Sequence, residues 1–434
     1  MQSLVLLKND PPERGLPFTP GKRLAVIGTD VDSIISLMEP SNYNADNICP
    51  RTNHSSNARN NSRRFSYTSG LPDFSGGINL DCLSTIWRSL NETNAQAGGS
   101  STLLAKRCKD ALDGVGCNAT WSGADIAAAV ALAKAADYTV VVLSNAEGEG
   151  GEGQDRQSIA TAPDQMALAK AIFSALGEEN GDNGASDLTQ AALLMINGGI
   201  MGIDSLREDV HGAILELFMP GAYGPQAVAE TVFGKNVPGG KLPVTMYYSN
   251  YTDGLSIDDM SMQAGQGRTY RYFDGPVVYP FGHGISYTTF SLQWSPQPTS
   301  PGRTVLKTAG DFTTYTVEVK NTGVVYTADE VVLAFFKPRR STIASLRDTS
   351  TPVVIKQLFG FERVRLAPGS SQRLTFVVNA TTVALVDGDG HTSLHPGEYE
   401  IVFSRGCVGC AELTTTLVVD TRGPIRLKTF RKWW

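Results

Sequence analysis

The sequence has no run of about 18 uninterrupted apolar residues, so no segment is expected to cross a membrane as a helix. Its start, Met1-Gln2-Ser3-Leu4-Val5-Leu6-Leu7-Lys8, carries too short an apolar stretch for a secretory signal. Basic charge is not in excess either: 37 Lys and Arg stand against 43 Asp and Glu, a net charge of -6, with no long basic stripe. A nucleic-acid partner therefore has no landing surface. H-E-x-x-H, G-x-S-x-G and paired C-x-x-C sets are absent, which leaves metal-centre and serine-hydrolase chemistry without residues to carry it. Neither a metal nor a cofactor is expected.

A chain of 434 residues with 41% hydrophobic content is long enough to fill two or three cores. Six cysteines, Cys49, Cys82, Cys108, Cys117, Cys407 and Cys410, form an even set without metal-ligand spacing. Asn-x-Ser/Thr sequons stand at Asn53, Asn60, Asn91, Asn118, Asn250 and Asn379. Together these features point to an extracellular or secretory-pathway glycoprotein. Cys407-Val-Gly-Cys410 has redox spacing, but strand-like residues 399–403 precede it and strand-like residues 413–419 follow. A redox pair would open a helix, so a turn disulfide or two plain thiols fits better.

From Lys22 the text alternates strand-like and helix-like segments. Residues 23–28 form a short apolar strand closed by Gly28, and an Ala-rich helix over 125–136 leads into Tyr138-Thr139-Val140-Val141-Val142-Leu143, apolar on both faces as a central parallel strand must be. A helix over 164–176 has an apolar stripe of Met166, Ala169, Ile172, Phe173 and Leu176, with Gly177 as its stop. Strands over 191–196 and 213–217 follow, and Pro225 opens a helix ending at Phe233-Gly234. This predicts a doubly wound, mainly parallel α/β sandwich over 22–285. Residues 39–101 and 178–187 are polar and read as surface insertions.

After about Ser286 the helical pattern disappears. β-Branched runs at 315–319, 330–336, 373–378 and 398–403 alternate with Asn321-Thr322-Gly323, Pro368-Gly369 and Pro396-Gly397. That predicts an immunoglobulin/fibronectin III-like β-sandwich over 286–424, followed by a basic aromatic tail, 425–434. Asp387-Gly388-Asp389-Gly390-His391 lacks the further ligands of a calcium loop and reads as a turn. His283 reads as a hydrogen-bonded structural histidine or a polar contact.

Directly after the strand ending at Leu143 comes Ser144-Asn145-Ala146-Glu147-Gly148-Glu149-Gly150-Gly151-Glu152-Gly153-Gln154-Asp155-Arg156. A loop at the carboxyl end of a parallel strand is where an open α/β sheet places ligands. Gly148, Gly150 and Gly153 satisfy G-x-G-x-x-G, yet Glu149 and Glu152 would lie inside the pyrophosphate cradle and Pro163 separates the loop from the next helix. The other use of a Gly-rich loop with several carboxylates is to bring one onto a substrate. Glycoside hydrolysis needs two carboxyl groups, and in retaining enzymes one attacks the anomeric carbon while the other protonates the leaving oxygen and then deprotonates water. Like charges crowded together raise one pKa, which keeps an acid available near neutrality. On the residues alone, a solvated acidic loop without a role remains the competing reading.

Along almost its whole length the sequence resembles glycoside hydrolase family 3, and most closely that family's β-xylosidase-like members. Ser3-Leu4-Val5-Leu6-Leu7-Lys8-Asn9 is similar to the segment by which the family leaves its catalytic barrel. Glu152-Gly-Gln-Asp155-Arg156, with Pro163 and Gln165 following, resembles its acid/base loop, and Gly239-Gly240-Lys241-Leu242-Pro243-Val244-Thr245 a strand closing the α/β domain. Gly267-Arg268-Thr269-Tyr270-Arg271-Tyr272, followed by residues 279–290, resembles the signature ahead of a fibronectin-type domain, in which Lys320-Asn321-Thr322-Gly323 and residues 360–364 also fit. Pro220-Gly221-Ala222-Tyr223-Gly224-Pro225 departs from the family, which has Gln and paired glycines there.

The resemblance implies that Glu152 is the general acid/base, with Glu149 and Glu147 as alternates, and that Asp155 and Arg156 brace the loop. It implies an oligosaccharide or glycoside substrate, and a nucleophilic aspartate on an N-terminal (β/α)₈ barrel of about 250 residues. No nucleophile is expected in this chain: Asp81-Cys82 lies in the polar insertion, and residues 1–21 read as a linker from a missing barrel. The sequence thus predicts the C-terminal part of a retaining exo-acting β-glycosidase, with negligible activity by itself. The alternative is a stand-alone, non-catalytic carbohydrate- or protein-binding module.

Overall fold

The computed structural model describes residues 3–32, 84–106, 120–145, 156–178, 189–256, 258–296, 303–346 and 351–429. These form two compact units, Met1–Pro238 and Gly239–Trp434.

In the first unit the elements run β1 (Val5–Asp10), β2 (Arg23–Thr29), α1 (Ile86–Gln96), β3 (Ser100–Lys106), α2 (Gly123–Lys134), β4 (Tyr138–Ser144), α3 (Pro163–Glu178), β5 (Gln190–Ile196), α4 (Leu206–Asp209), β6 (Gly212–Phe218) and α5 (Gly224–Val232). The strands make one six-stranded sheet in the order β1-β6-β5-β4-β2-β3. Every neighbouring pair is parallel except β1 on β6. Every residue of β4 is buried, as a strand covered on both faces requires. Helix α1 packs with α5 and α2 with α3, the two helical layers of a doubly wound fold. A capping box between Ser122 and Asp125 starts α2. Gly28 of β2 lies at φ +152, where an added Cβ would meet the Val142 carbonyl oxygen of β4, so only glycine allows the two strands to run this close.

Two expectations for this unit are corrected. Residues 1–21 are not a plain linker, because Val5, Leu6 and Leu7 are buried and β1 closes one edge of the sheet. The polar stretch 39–101 is not wholly an insertion, because it ends in α1 and the start of β3. Thr85 caps that helix, and its Asn94, fully buried, donates to the Lys22 and Ser100 carbonyls and accepts the Gly21 N–H.

The second unit contains β7 (Met246–Tyr247), α6 (Thr269–Tyr272), β8 (Val277–Tyr279), β9 (Phe290–Trp294), β10 (Thr304–Leu306), β11 (Phe312–Asn321), β12 (Ala328–Pro338), α7 (Arg340–Ser345), β13 (Gln357–Leu366), β14 (Ser371–Asn379), β15 (Leu385–Val386), β16 (Thr392–Leu394), β17 (Gly397–Ser404), β18 (Leu413–Val419) and β19 (Ile425–Lys428). A five-stranded sheet, β10-β18-β17-β12-β13, faces the three-stranded β14-β11-β9. Phe403 of the first joins them, its ring centroid 5.0 Å from Phe376, 5.6 Å from Trp294 and 6.0 Å from Tyr315 of the second. Asn321 holds the turn after β11 with its whole side chain: Nδ2 donates to the Tyr326 and Leu366 carbonyls, and Oδ1 accepts from Gly323 N and Thr288 Oγ1.

Residues 239–285 group with this sandwich, since Tyr270 and Phe281 pack on Phe335 and the Leu242 and Gly282 backbones pair. The segment 425–434 is not only a tail, because β19 pairs with β16. Cys407 and Cys410 form a disulfide in the turn between β17 and β18. Buried His283 stacks on Tyr279 and accepts the Val408 N–H on Nδ1.

His395, just after β16, is 3% exposed, and neither ring nitrogen has a hydrogen-bond partner among the described residues. Burial lowers its pKa, and the Asp387 carboxylate only partly opposes this. With the folded pKa below the ordinary value, the unfolded chain takes up a proton first, so stability is lost as pH falls below about 6.5. His395→Phe is expected to remove that loss and to raise stability by about 1 kcal/mol at pH 5. Urea midpoints at pH 5 and 7.5 test it, and an unchanged gap between the two pH values would refute it.

Candidate active site

The chain passes from β2 outward to β3, then back across β2 to β4 and on through β5 to β6. The winding direction thus reverses between β2 and β4, and a doubly wound sheet binds ligands beyond the carboxyl ends of the strands at such a point.

The acidic segment leaves from that place. Gln165, in the first turn of α3, holds the end of β4 like an extra strand: Ser144 N donates to its Oε1 at 2.9 Å, and its Nε2 donates to the Ser144 carbonyl at 2.8 Å. Asn145 N donates to the Ile196 carbonyl at 3.1 Å, and both polar atoms of the Asn145 amide are buried without a partner among the described residues. The returning stem is docked on the segment after β5. Arg156 Nη1 donates to the Ile200 carbonyl at 3.0 Å, Ala160 bridges to Gly202, and Thr161 Oγ1 donates to the Gly202 carbonyl at 2.8 Å. Glu147, Glu149, Glu152 and Asp155 lie outside the described residues, as do Asn53, Asn60 and Asn118. What the structure brings together is the pair of stems, with Arg156 on the second.

Across the switch point, Asp30, the residue after β2, lies at φ 59 and donates its N–H to the Lys106 carbonyl, and Thr85 Oγ1 donates to Asp32 Oδ1 at 2.8 Å. Trp121 is 4% exposed and locked there: Nε1 donates to Thr29 Oγ1, its backbone N–H to Asp164 Oδ2, and the Lys106 ammonium lies 5.5 Å from its ring. Lys106 also pairs with Asp125 and, together with Ser122, holds that carboxyl at about 2.

Glu216 was not anticipated as a site residue. It is 2% exposed near the carboxyl end of β6, and both carboxylate oxygens accept from Asn197 Nδ2 at 2.9 Å while Oε1 also accepts Phe218 N at 2.8 Å. Burial pushes its pKa up to about 7, against these donors and the Leu217 N–H. Phe218 sits at φ 54, an uncommon region for a bulky residue. The signal was available: an acidic residue inside an otherwise apolar parallel strand.

Among the described residues no cluster of three or more His, Cys, Asp or Glu could hold a metal ion, and no helix is long and apolar enough to cross a membrane. Of the remaining sequons, Asn91 lies on α1, Asn250 is exposed, and Asn379 spends its Oδ1 on the Thr381 and Thr382 hydroxyls and the Thr382 N–H.

Comparison with known proteins matches residues 4–287 to the glycosyl hydrolase family 3 C-terminal domain and residues 330–405 to the fibronectin type III-like domain. A probable exo-1,4-beta-xylosidase of Aspergillus flavus is 32% identical over 300 residues, covering 66% of this chain and 36% of that protein. Beta-D-xylosidase 1 of Arabidopsis thaliana is 29% identical over 302 residues, covering 63% and 37%. In fold, the chain is similar to a GH3 exo-beta-xylosidase solved with a xylobiose aziridine probe, with TM-score 0.69, 22% identity, and coverage of 99% of this chain and 48% of that one. A Listeria innocua beta-glucosidase solved with isofagomine gives TM-score 0.66 and 18% identity, covering 96% and 49%. The chain spans about a third of the length of the curated relatives it matches. With well over half of its residues matched to that one domain, the chain belongs to glycoside hydrolase family 3.

Proposed function

We propose that this chain supplies the acid/base side of a retaining, exo-acting β-glycosidase site that removes terminal β-linked xylose. Glu152 is the general acid/base, with Glu149 and Glu147 as the alternates on the same loop. The observation that carries this reading is the stem geometry. Asn145 and Arg156 hold the ends of an acidic segment beyond β4, at the switch point of the sheet. The xylosidase names of the relatives support xylose as the sugar.

In the double displacement the nucleophile comes from the (β/α)₈ barrel of the family, outside the α/β and sandwich domains. The Glu152 carboxyl donates its proton to the leaving oxygen, and the resulting carboxylate takes a proton from the water that releases the sugar. Asp155 and Arg156 steady the loop. An extracellular setting, with glycosylation at the sequons, belongs to the same reading.

The test is an aryl β-xyloside assay on the 434-residue chain alone and joined at its N-terminus to a family 3 barrel. No turnover is expected from the chain alone, and turnover with retained anomeric configuration from the joined protein. Turnover by the chain alone, abolished by Glu152→Gln, would place both carboxylates within it. Binding of xylo-oligosaccharides without turnover by a folded joined protein would favour a non-catalytic binding module.

A further inference from the structure

We infer that Glu216 is a positioning residue for the stem formed by residues 156–161, acting through Asn197 on the segment where that stem is docked, and acting differently in its two protonation states. The catalytic consequence rests on the acid/base reading above; the conformational one does not.

Three observations converge. The β5–β6 ladder slips by one residue here, with Met195 opposite Glu216 but Ile196 opposite Phe218, so Leu217 is an extra residue in the strand. The Glu216 carboxylate fills this bulge by accepting Phe218 N and Asn197 Nδ2, while Asn197 N donates to the Phe218 carbonyl at 3.2 Å. Asn197 then leads through Gly198 and Gly199 into Ile200 and Gly202, which receive Arg156 and Thr161. An added Cβ at Gly198 would meet the Met219 side-chain tip and one at Gly199 the Arg156 guanidinium, so the Arg156 side chain lies against the backbone of this segment. A change at the bulge is three residues from Ile200 and five from Gly202, along a segment that Arg156 and Thr161 hold by hydrogen bonds.

The second state follows from the donor inventory. With Glu216 ionised, Asn197 Nδ2 donates to both oxygens and Asn197 Oδ1, on a side chain 1% exposed, has no partner among the described residues. When Glu216 takes a proton from solvent, one of its oxygens becomes a donor, and turning over the Asn197 amide brings its idle Oδ1 to the place now held by Nδ2, 2.9 Å from the carboxyl oxygens. The O–H···Oδ1 bond then forms as the Nδ2–H···O bonds break. The idle end of the amide changes from acceptor to donor.

Among the described residues, nearby charges do not set the titration of Glu216. Lys8 and Asp10 on β1, Arg207, Glu208 and Asp209 on α4, and Glu230 on α5 are absent from the influences on Glu216, which are burial, Asn197 and the Phe218 and Leu217 N–H groups. Lys8 donates to the Arg207 carbonyl, and Glu230 is held by Gln226, Lys235 and Asn236. The transition should fall near neutrality.

Hydrogen exchange on the 434-residue chain between pH 5.5 and 8.5, corrected for intrinsic rates, reads the Gly202 N–H, which donates to the Ile159 carbonyl. Its protection is expected to change in a single step near neutral pH. Glu216→Gln mimics the protonated form and should abolish the step without unfolding the chain. Asn197→Ala should abolish it too, while the Glu216 carbonyl stretch still titrates in the infrared. A step that persists in Glu216→Gln, or flat protection in the wild type, overturns the inference. If the step is present but the barrel-joined protein is inactive, the acid/base reading fails and the positioning stands. Should the joined protein be active with the same pH profile in wild type and Glu216→Gln, the positioning role fails instead.

Discussion

Replacing Glu330 with alanine is expected to cost the second unit about 3–5 kcal/mol, the range for removing one member of a buried ion cluster. Its carboxylate is 4% exposed on β12, with Oε1 2.8 Å from the Lys241 ammonium and Oε2 3.2 Å from the Arg405 guanidinium, while Val331 N donates to Oε1. Both cations are themselves largely buried, at 10% and 15% side-chain exposure. Burial holds the Lys241 pKa below its ordinary value and Glu330 opposes that, so without Glu330 the lysine can shed its proton. Arg405 cannot. Urea denaturation of the full chain measures the loss, and a cost under about 1 kcal/mol would mean that water already reaches the cluster. Asp329, next along the strand, pairs with Arg363 and Arg365, and Arg365 is 72% exposed. Removing the Arg365 arm should therefore cost no more than about 1 kcal/mol. Replacing Glu330, Lys241 and Arg405 together by apolar residues should recover much of the Glu330→Ala loss, because what costs stability is a buried charge left alone.

Glu152→Gln in the barrel-joined protein is expected to lower kcat/KM for xylobiose by about 10²–10⁴, the usual size of a general acid/base contribution. A dinitrophenyl β-xyloside should suffer far less in its first step, since that leaving group departs without a proton. Deglycosylation then becomes slow, and added azide, a nucleophile that needs no base, should restore turnover and yield the β-xylosyl azide. This asymmetry separates an acid/base from a residue that merely holds the loop, whose loss would slow both substrates alike. The same series on Glu149 and Glu147 decides the assignment, and a leaving-group dependence confined to either would move the role there.

Legibility of the fold followed burial. Strands β4 and β5 were plain in the sequence because central parallel strands lie between two helical layers, so their apolar runs are unbroken. Strand β3, at the sheet's edge, begins Ser100-Ser101-Thr102 and has no fully buried residue, so it merged into the polar stretch before it. Helix α1 was hidden in the same way, since it buries Ser89 and Asn94 besides Ile86 and Leu90. In the site, Gly and Glu composition singled out the loop and Arg156 was expected to brace it, but the partners were not legible because they lie on distant segments, as with Gln165 on Ser144 and Arg156 on Ile200. Glu216 was passed over because hydrophobic periodicity counts apolar positions and does not ask why one carboxylate lies among them.

Strand β1 has a consequence for how the chain is made. Val5 lies opposite Glu216, so the edge strand leaves the ribosome about 210 residues ahead of its partner. At ordinary synthesis rates the wait is roughly 10–40 s. During it Leu4, Val5, Leu6 and Leu7, all buried in the folded unit, are exposed as a sticky segment. Such a segment invites chaperone binding until Gly212–Phe218 emerges. Closing the sheet is thus the late act of this unit, since β1 cannot pair before Gly212–Phe218 has emerged.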